Sequence, residues 1–140
     1  MKLVTYLNFD GNTEDAMTFY ATTLNGTITA MMRFGETPAA EHVPADARDK
    51  VMHACLQIGD DMVLFAADSG CVPGQEFKGY DGFSIAISTP SVAESERVFA
   101  ALADGGTVTM PMEKTFWAER FGSLVDRFGI SWLINCDLPA

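Results

Sequence analysis

The chain has 140 residues, 48% of them hydrophobic, which is one domain's worth of sequence with enough apolar content for a core rather than a disordered tail. A formal net charge of −10 with nine Lys and Arg offers no basic patch, so nucleic acid and anionic membrane are excluded as partners. No apolar run approaches the roughly 20 residues of a membrane span.

The opening MKLVTYLNFDG carries one Lys and an apolar run too short for a signal-peptide core. Val4–Phe9 reads as a strand, with Tyr6 and Asn8 on one face and Leu7 and Phe9 on the other. Asn12 or Thr13 caps a helix running to about Leu24. Glu14 and Asp15 lie in its first turn, where the dipole favours anions, and Ala16, Phe19, Tyr20 and Thr23 make its apolar stripe. Asn25–Gly26 stops it. Thr27–Phe34 is β-like. Gly35–Lys50 holds two prolines and mixed charge, and is expected to be the longest loop and the most mobile segment. Val51–Ile58 and Met62–Ala67 are strands joined by the hairpin signal Gly59–Asp60–Asp61, and Asp68–Asp81 is a linker.

Phe83–Ser88 opens the second half as a strand. Ser91 starts a helix through about Ala103, with Val92, Ser95, Val98, Phe99 and Leu102 on one stripe, and Asp104–Gly105–Gly106 ends it. Residues 115–135 read strand, turn, strand. Phe121, Leu124 and Val125 precede the turn Asp126–Gly129. Ile130, Trp132, Leu133 and Ile134 follow it, and Phe116 and Trp117 lie just upstream.

The halves repeat. LNGTITAM at 24–31 matches DGGTVTM at 104–110, and residues 52–68 lay over 120–136 without a gap. Both halves read β-α-β-β-β, with modules at about 1–70 and 80–137 in a single domain. The expected fold class is α+β: two βαβββ modules pair their sheets into an incomplete barrel around a cup, helices outside.

That order resembles the vicinal-oxygen-chelate superfamily of glyoxalase I, bleomycin-resistance proteins and extradiol dioxygenases, and within it the PhnB-like branch. The residues carrying the likeness are YLNFDGN…FY at 6–20, RFGE at 33–36, HACLQIG at 53–59 and TFWAERFG…DRFGISW at 115–132. The resemblance implies a divalent metal held by His, Glu or Gln from the first and last strands of the modules. Carried over, those positions fall around Val4–Tyr6 and on His53, Ser84 and Leu133, of which His53 alone is a competent ligand. Catalytic divalent sites normally need about three protein ligands, so no metal and no cofactor is expected. Similar proteins are also described as demethylubiquinone methyltransferases. The chain has no glycine-rich turn between a strand and a helix to hold a nucleotide-like cofactor, and it is short for such an enzyme.

Strand alternation turns Val51, His53, Cys55 and Gln57 toward the cup and Met52, Ala54, Leu56 and Ile58 under the helix. His53 is either a polar anchor or acid/base group, or a hydrogen-bonded histidine filling space. Cys55 is a nucleophile or a small buried hydrophobe. Phe116 and Trp117 form a lid over a planar ligand or pack a barrel corner. Trp132 goes under a helix. Glu119 and Arg120 orient a charged substrate or make a solvated pair, and Glu36 is a candidate carboxylate base. The candidate ligand-binding set is Tyr6, Asn8, Glu36, His53, Cys55, Ser84, Phe116, Trp117, Phe121 and Leu133. The expected function is binding of a small, mostly apolar or aromatic molecule. The alternative is an enzyme that works through His53 and a carboxylate, or through a partly hidden metal. Three cysteines without a C-x-x-C pair suit a reducing cytoplasm, and open sheet edges point to a homodimer.

Overall fold

The computed structural model describes residues 1–71, 74 and 76–139. Two compact units are present, Met1–Lys78 and Gly79–Ala140, and each is one βαβββ module with its own four-stranded sheet.

In the first module β1 (Thr5–Phe9) leads into α1 (Thr13–Leu24), then β2 (Thr27–Arg33), β3 (Val51–Ile58) and β4 (Met62–Asp68). The sheet order is β1-β4-β3-β2, with β1 parallel to β4 and the other pairs antiparallel. Leu7, Phe9, Ala54, Leu56, Leu64 and Ala66 lie under α1, which answers with Ala16, Met17 and Tyr20, all buried. Each large apolar side chain so covered contributes about 1.5–3 kcal/mol of transfer free energy.

The start of α1 is held differently from the sequence expectation. Asn12 occupies the cap position but its side chain makes no capping bond. The first helical N–H, on Thr13, instead donates to Asp68 Oδ1 at 3.0 Å, and Asp68 Oδ2 accepts from Val51 N at 2.8 Å. Asp68 is buried, and it closes β4 rather than opening a linker. One carboxylate therefore ties the helix start to the start of β3, and charge-assisted bonds of this kind are the strong ones. Val51 is buried at the start of β3.

The segment 35–50 is not structureless. Three short 3₁₀ turns, Phe34–Glu36, Pro38–His42 and Ala45–Ala47, fold over a small core of Phe34, Ala47 and Cys71, against which Ala39, Val43 and Met52 pack. Met52 thus belongs to this satellite core. Part of the expected linker, residues 72, 73 and 75, lies outside the described residues.

The second module repeats the plan: β5 (Ile85–Thr89), α2 (Val92–Ala103), β6 (Thr107–Glu113), β7 (Ala118–Val125) and β8 (Ser131–Asp137), in sheet order β5-β8-β7-β6. The strand expected from Phe83 begins two residues later. Ser91 caps α2 as its sequence predicts, its hydroxyl accepting from Glu94 N at 3.1 Å. Ser95, Val98, Phe99 and Leu102 are the buried stripe. Trp132 is 1% exposed and its indole N–H donates to Asp126 Oδ2 at 2.8 Å, while Asp126 Oδ1 accepts from the N–H groups of Phe128 and Ile130. Gly129, at φ 93°, completes that turn in a conformation other residues resist.

One close approach occurs in both modules. A side chain at Gly26 would meet the Gln57 carbonyl, and one at Gly106 would overlap the Val125 carbonyl. The helix-stopping glycines seen in the repeat therefore also let the second strand of each module start against the end of the third.

Candidate functional site

Each helix covers one face of its sheet, so the other face is where a site can be built. On the first sheet the register sets two rows across that open face. Tyr6 is opposite Phe65, Phe65 opposite Cys55, and Cys55 opposite Ala30. Asn8 is opposite Ala67, and His53 is opposite Met32.

Three of these side chains form a cluster. The Tyr6 hydroxyl lies 3.1 Å from His53 Nδ1. Phe65 stands edge-on to the imidazole with ring centroids 4.9 Å apart, and edge-on to Tyr6 at 6.1 Å. Tyr6 is 45% exposed, and His53, Cys55 and Phe65 are half-buried. Burial pushes the Tyr6 phenol up from its ordinary value, so it stays protonated through the neutral range. The arrangement offers apolar aromatic surface with one hydroxyl–imidazole pair set into it, the mixture typical of small-molecule sites.

The candidate residues of the first module are only partly brought together. Tyr6, Asn8, His53 and Cys55 share the open face. Glu36 is exposed in the first 3₁₀ turn, and no hydrogen bond or ion pair links it to His53 among the described residues. The sequence reading missed Phe65, although a signal existed. Phe65 alternates with the buried Leu64 and Ala66, and the gap-free overlay of the halves places it on Leu133.

In the second module Phe121 and Leu133 lie on the open face, with Phe121 opposite Asn135 and Leu133 opposite Ser123. Phe116, 89% exposed, stands edge-on to Trp117 at 4.8 Å, and Trp117 edge-on to Phe121 at 5.5 Å. Trp117 is 49% exposed, so this aromatic run is not core packing of its module. Ser84 precedes β5 and its hydroxyl sits 2.7 Å from that of Ser131. It lines an open depression of about 610 Å³ with Tyr80, Phe83, Val125 and Gly129. Arg120 bridges Glu96 at 3.3 Å and Glu119 at 3.9 Å, a surface network that leaves neither residue dedicated to a substrate.

The superfamily resemblance implies a divalent metal, which needs about three protein ligands. Among the described residues no three His, Cys, Asp or Glu side chains come together in a way that could hold a metal ion. Of the other carried-over positions, Ser84 offers only a hydroxyl paired with that of Ser131, and Leu133 is apolar. These residues do not fit a three-ligand site, and no chemical step is derived through one.

Two βαβββ modules, each with one helix on one face of a four-stranded sheet, define a chain of the glyoxalase/bleomycin-resistance/dioxygenase fold. At the level of fold it is like the glyoxylase/bleomycin resistance protein/dioxygenase domain from Frankia sp. EAN1pec, at 12% identity, TM-score 0.70, over 100% of this chain and 93% of that one. The chain belongs to the family described as 3-demethylubiquinone-9 3-methyltransferase, whose model matches residues 1–135. Within that PhnB-like group it is similar to protein PA1353 from Pseudomonas aeruginosa, with 44% identity over 98% of both chains and a TM-score of 0.88. It is also similar to the putative 3-demethylubiquinone-9 3-methyltransferase, PhnB protein, from Bacillus cereus, with 26% identity over 97% and 99% of the two chains and a TM-score of 0.77. Protein YjdN of Escherichia coli K12 is 34% identical over 96% of this chain and 95% of its own length. No helix among the described residues is long and apolar enough to cross a membrane.

Proposed function

We propose that this protein binds a small, largely apolar or aromatic molecule, without a metal, on the open face of the first sheet. Tyr6, His53 and Phe65 are the anchors of that site, with Asn8 and Cys55 beside them. The observation that carries the reading is the half-exposed aromatic cluster with one hydroxyl–imidazole pair at its centre. In the second module, Phe121, Leu133, Phe116 and Trp117 are the candidate ligand contacts of its own open face. Native mass spectrometry of freshly purified protein tests this. A retained small molecule is expected in the wild type and its loss in the Tyr6→Ala/Phe65→Ala variant. Stoichiometric Zn, Ni, Mn or Fe in the purified protein would overturn the metal-free part.

The Tyr6–His53 pair supports a second reading, an enzyme in which His53 moves a proton to or from the bound molecule. Turnover of the retained molecule that disappears in His53→Ala distinguishes it from pure binding. We do not carry over the methyl transfer in the family's description. The turn from β1 into α1 holds a single glycine, Gly11, where a glycine-rich cradle for a nucleotide-like cofactor would stand.

We also propose a cytoplasmic homodimer. Cys55, Cys71 and Cys136 are free, which suits a reducing compartment. Strand β6 is a sheet edge with Val108 and Met110 about half exposed, and apolar edges invite pairing. Light scattering is expected to give twice 15.2 kDa, and a mass that stays at 15.2 kDa as concentration rises contradicts the dimer.

A further inference from the structure

The Tyr6–His53 contact does more than add a polar spot. Tyr6 O lies 3.1 Å from Nδ1, and the other ring nitrogen, Nε2, has no hydrogen-bond partner among the described residues. Two rings hold the imidazole in place: Phe65 edge-on at 4.9 Å, and Tyr6 tilted at 5.6 Å. A neutral imidazole has one donor and one acceptor nitrogen, and the partner of one fixes the role of the other. The unprotonated imidazole nitrogen is a far better acceptor than a phenol oxygen, and a phenol kept protonated by burial is a ready donor. The favoured bond therefore runs from the Tyr6 hydroxyl to Nδ1.

We propose that Tyr6 is a positioning residue that holds neutral His53 as its Nε2–H tautomer, so that His53 presents a hydrogen-bond donor to the open face. The inference rests on the reading of that face as the ligand site and sharpens it. The ligand places an acceptor oxygen, of the carbonyl or ether kind, over His53 and its planar body against Phe65. A molecule of the same shape without that oxygen leaves the N–H unpaired and is bound less tightly.

Nitrogen–proton correlation spectra of ¹⁵N-labelled protein near pH 8, where an ordinary imidazole is neutral, test the tautomer directly. The chain has two histidines, and exposed His42 serves as the internal control. In the wild type, His53 Nδ1 is expected to resonate as an unprotonated nitrogen and Nε2 as a protonated one. In Tyr6→Phe, a change the half-exposed position tolerates, both signals are expected to move to tautomer-averaged values while His42 stays put. An Nδ1–H ring in the wild type, or an unchanged His53 in Tyr6→Phe, overturns the proposal. The donor role is tested with acetophenone and its oxygen-free analogue ethylbenzene. Acetophenone is expected to bind up to about tenfold tighter, a preference lost in His53→Phe. Equal affinity in the wild type overturns the donor role. If neither compound shifts a resonance on the face, the ligand-site reading fails, while the tautomer is still decided on the free protein.

Discussion

The two modules share one backbone plan and have filled it with opposite chemistry on their open faces. The overlay of the halves pairs Tyr6 with Ala86, Asn8 with Ser88, His53 with Phe121, Cys55 with Ser123 and Phe65 with Leu133. The first module thus carries the hydroxyl–imidazole pair, and the second offers aliphatic and aromatic wall with small hydroxyls. The helix faces differ as well. Leu64 under α1 corresponds to Trp132 under α2, and both are buried. Each module has one buried aspartate, but at unmatched positions. Asp68 ties helix start to strand start, and Asp126 ties a hairpin turn to the Trp132 indole. Repetition fixed the scaffold; the chemistry and the local fastenings were settled separately in each half.

The sharpest way to break this comparison is at the matched core positions. Trp132→Ala is expected to cost about 3–5 kcal/mol and Leu64→Ala about 2–5, read by urea unfolding. The tryptophan should cost more, because its loss also removes the N–H bond that Asp126 Oδ2 accepts. If Leu64→Ala proves the more damaging, the second module does not depend on its indole anchor.

Next come the fastenings. Asp68→Ala removes two charge-assisted bonds from buried backbone N–H groups, Thr13 and Val51, and should destabilise by about 3 kcal/mol. Ser91→Ala removes a single exposed cap from α2 and should cost about 1 kcal/mol. Thermal unfolding of the two variants side by side reads the difference. Equal effects would show that the helices are started in the same way despite their different caps.

These residues also mark what the sequence let one read. The repeat, both helices and the faces of β1 and of β3 from His53 on were legible because hydrophobic period and glycine stops are local signals. Ser91 was legible for the same reason, since its bond reaches three residues ahead. Asp68 was not, because its partners lie 55 and 17 residues away and nothing beside it in sequence announces a cap. The folded segment 35–50 was hidden because its core is completed by Cys71 and Met52 from other strands and loops. At the site, alternation put Tyr6 and Leu7 on opposite faces of β1 and His53 and Ala54 on opposite faces of β3, but the Tyr6–His53 hydrogen bond depends on β1 and β3 flanking β4, a register that sets Phe65 between them. Glu36 was drawn in by its place after an aromatic strand end; it is exposed in the 3₁₀ turn and shares no hydrogen bond with His53 among the described residues.

The central claim is that the two open faces are unequal and that the first one is the anchor of the ligand. Chemical-shift mapping of the ¹⁵N,¹³C-labelled protein with a panel of planar aromatic fragments, acetophenone among them, tests it most directly. The account predicts the largest perturbations at Tyr6, His53, Cys55 and Phe65. Perturbations confined to Ala86, Phe121 and Leu133, or to the Tyr80–Phe83 depression, with Tyr6 and His53 unmoved, would contradict it.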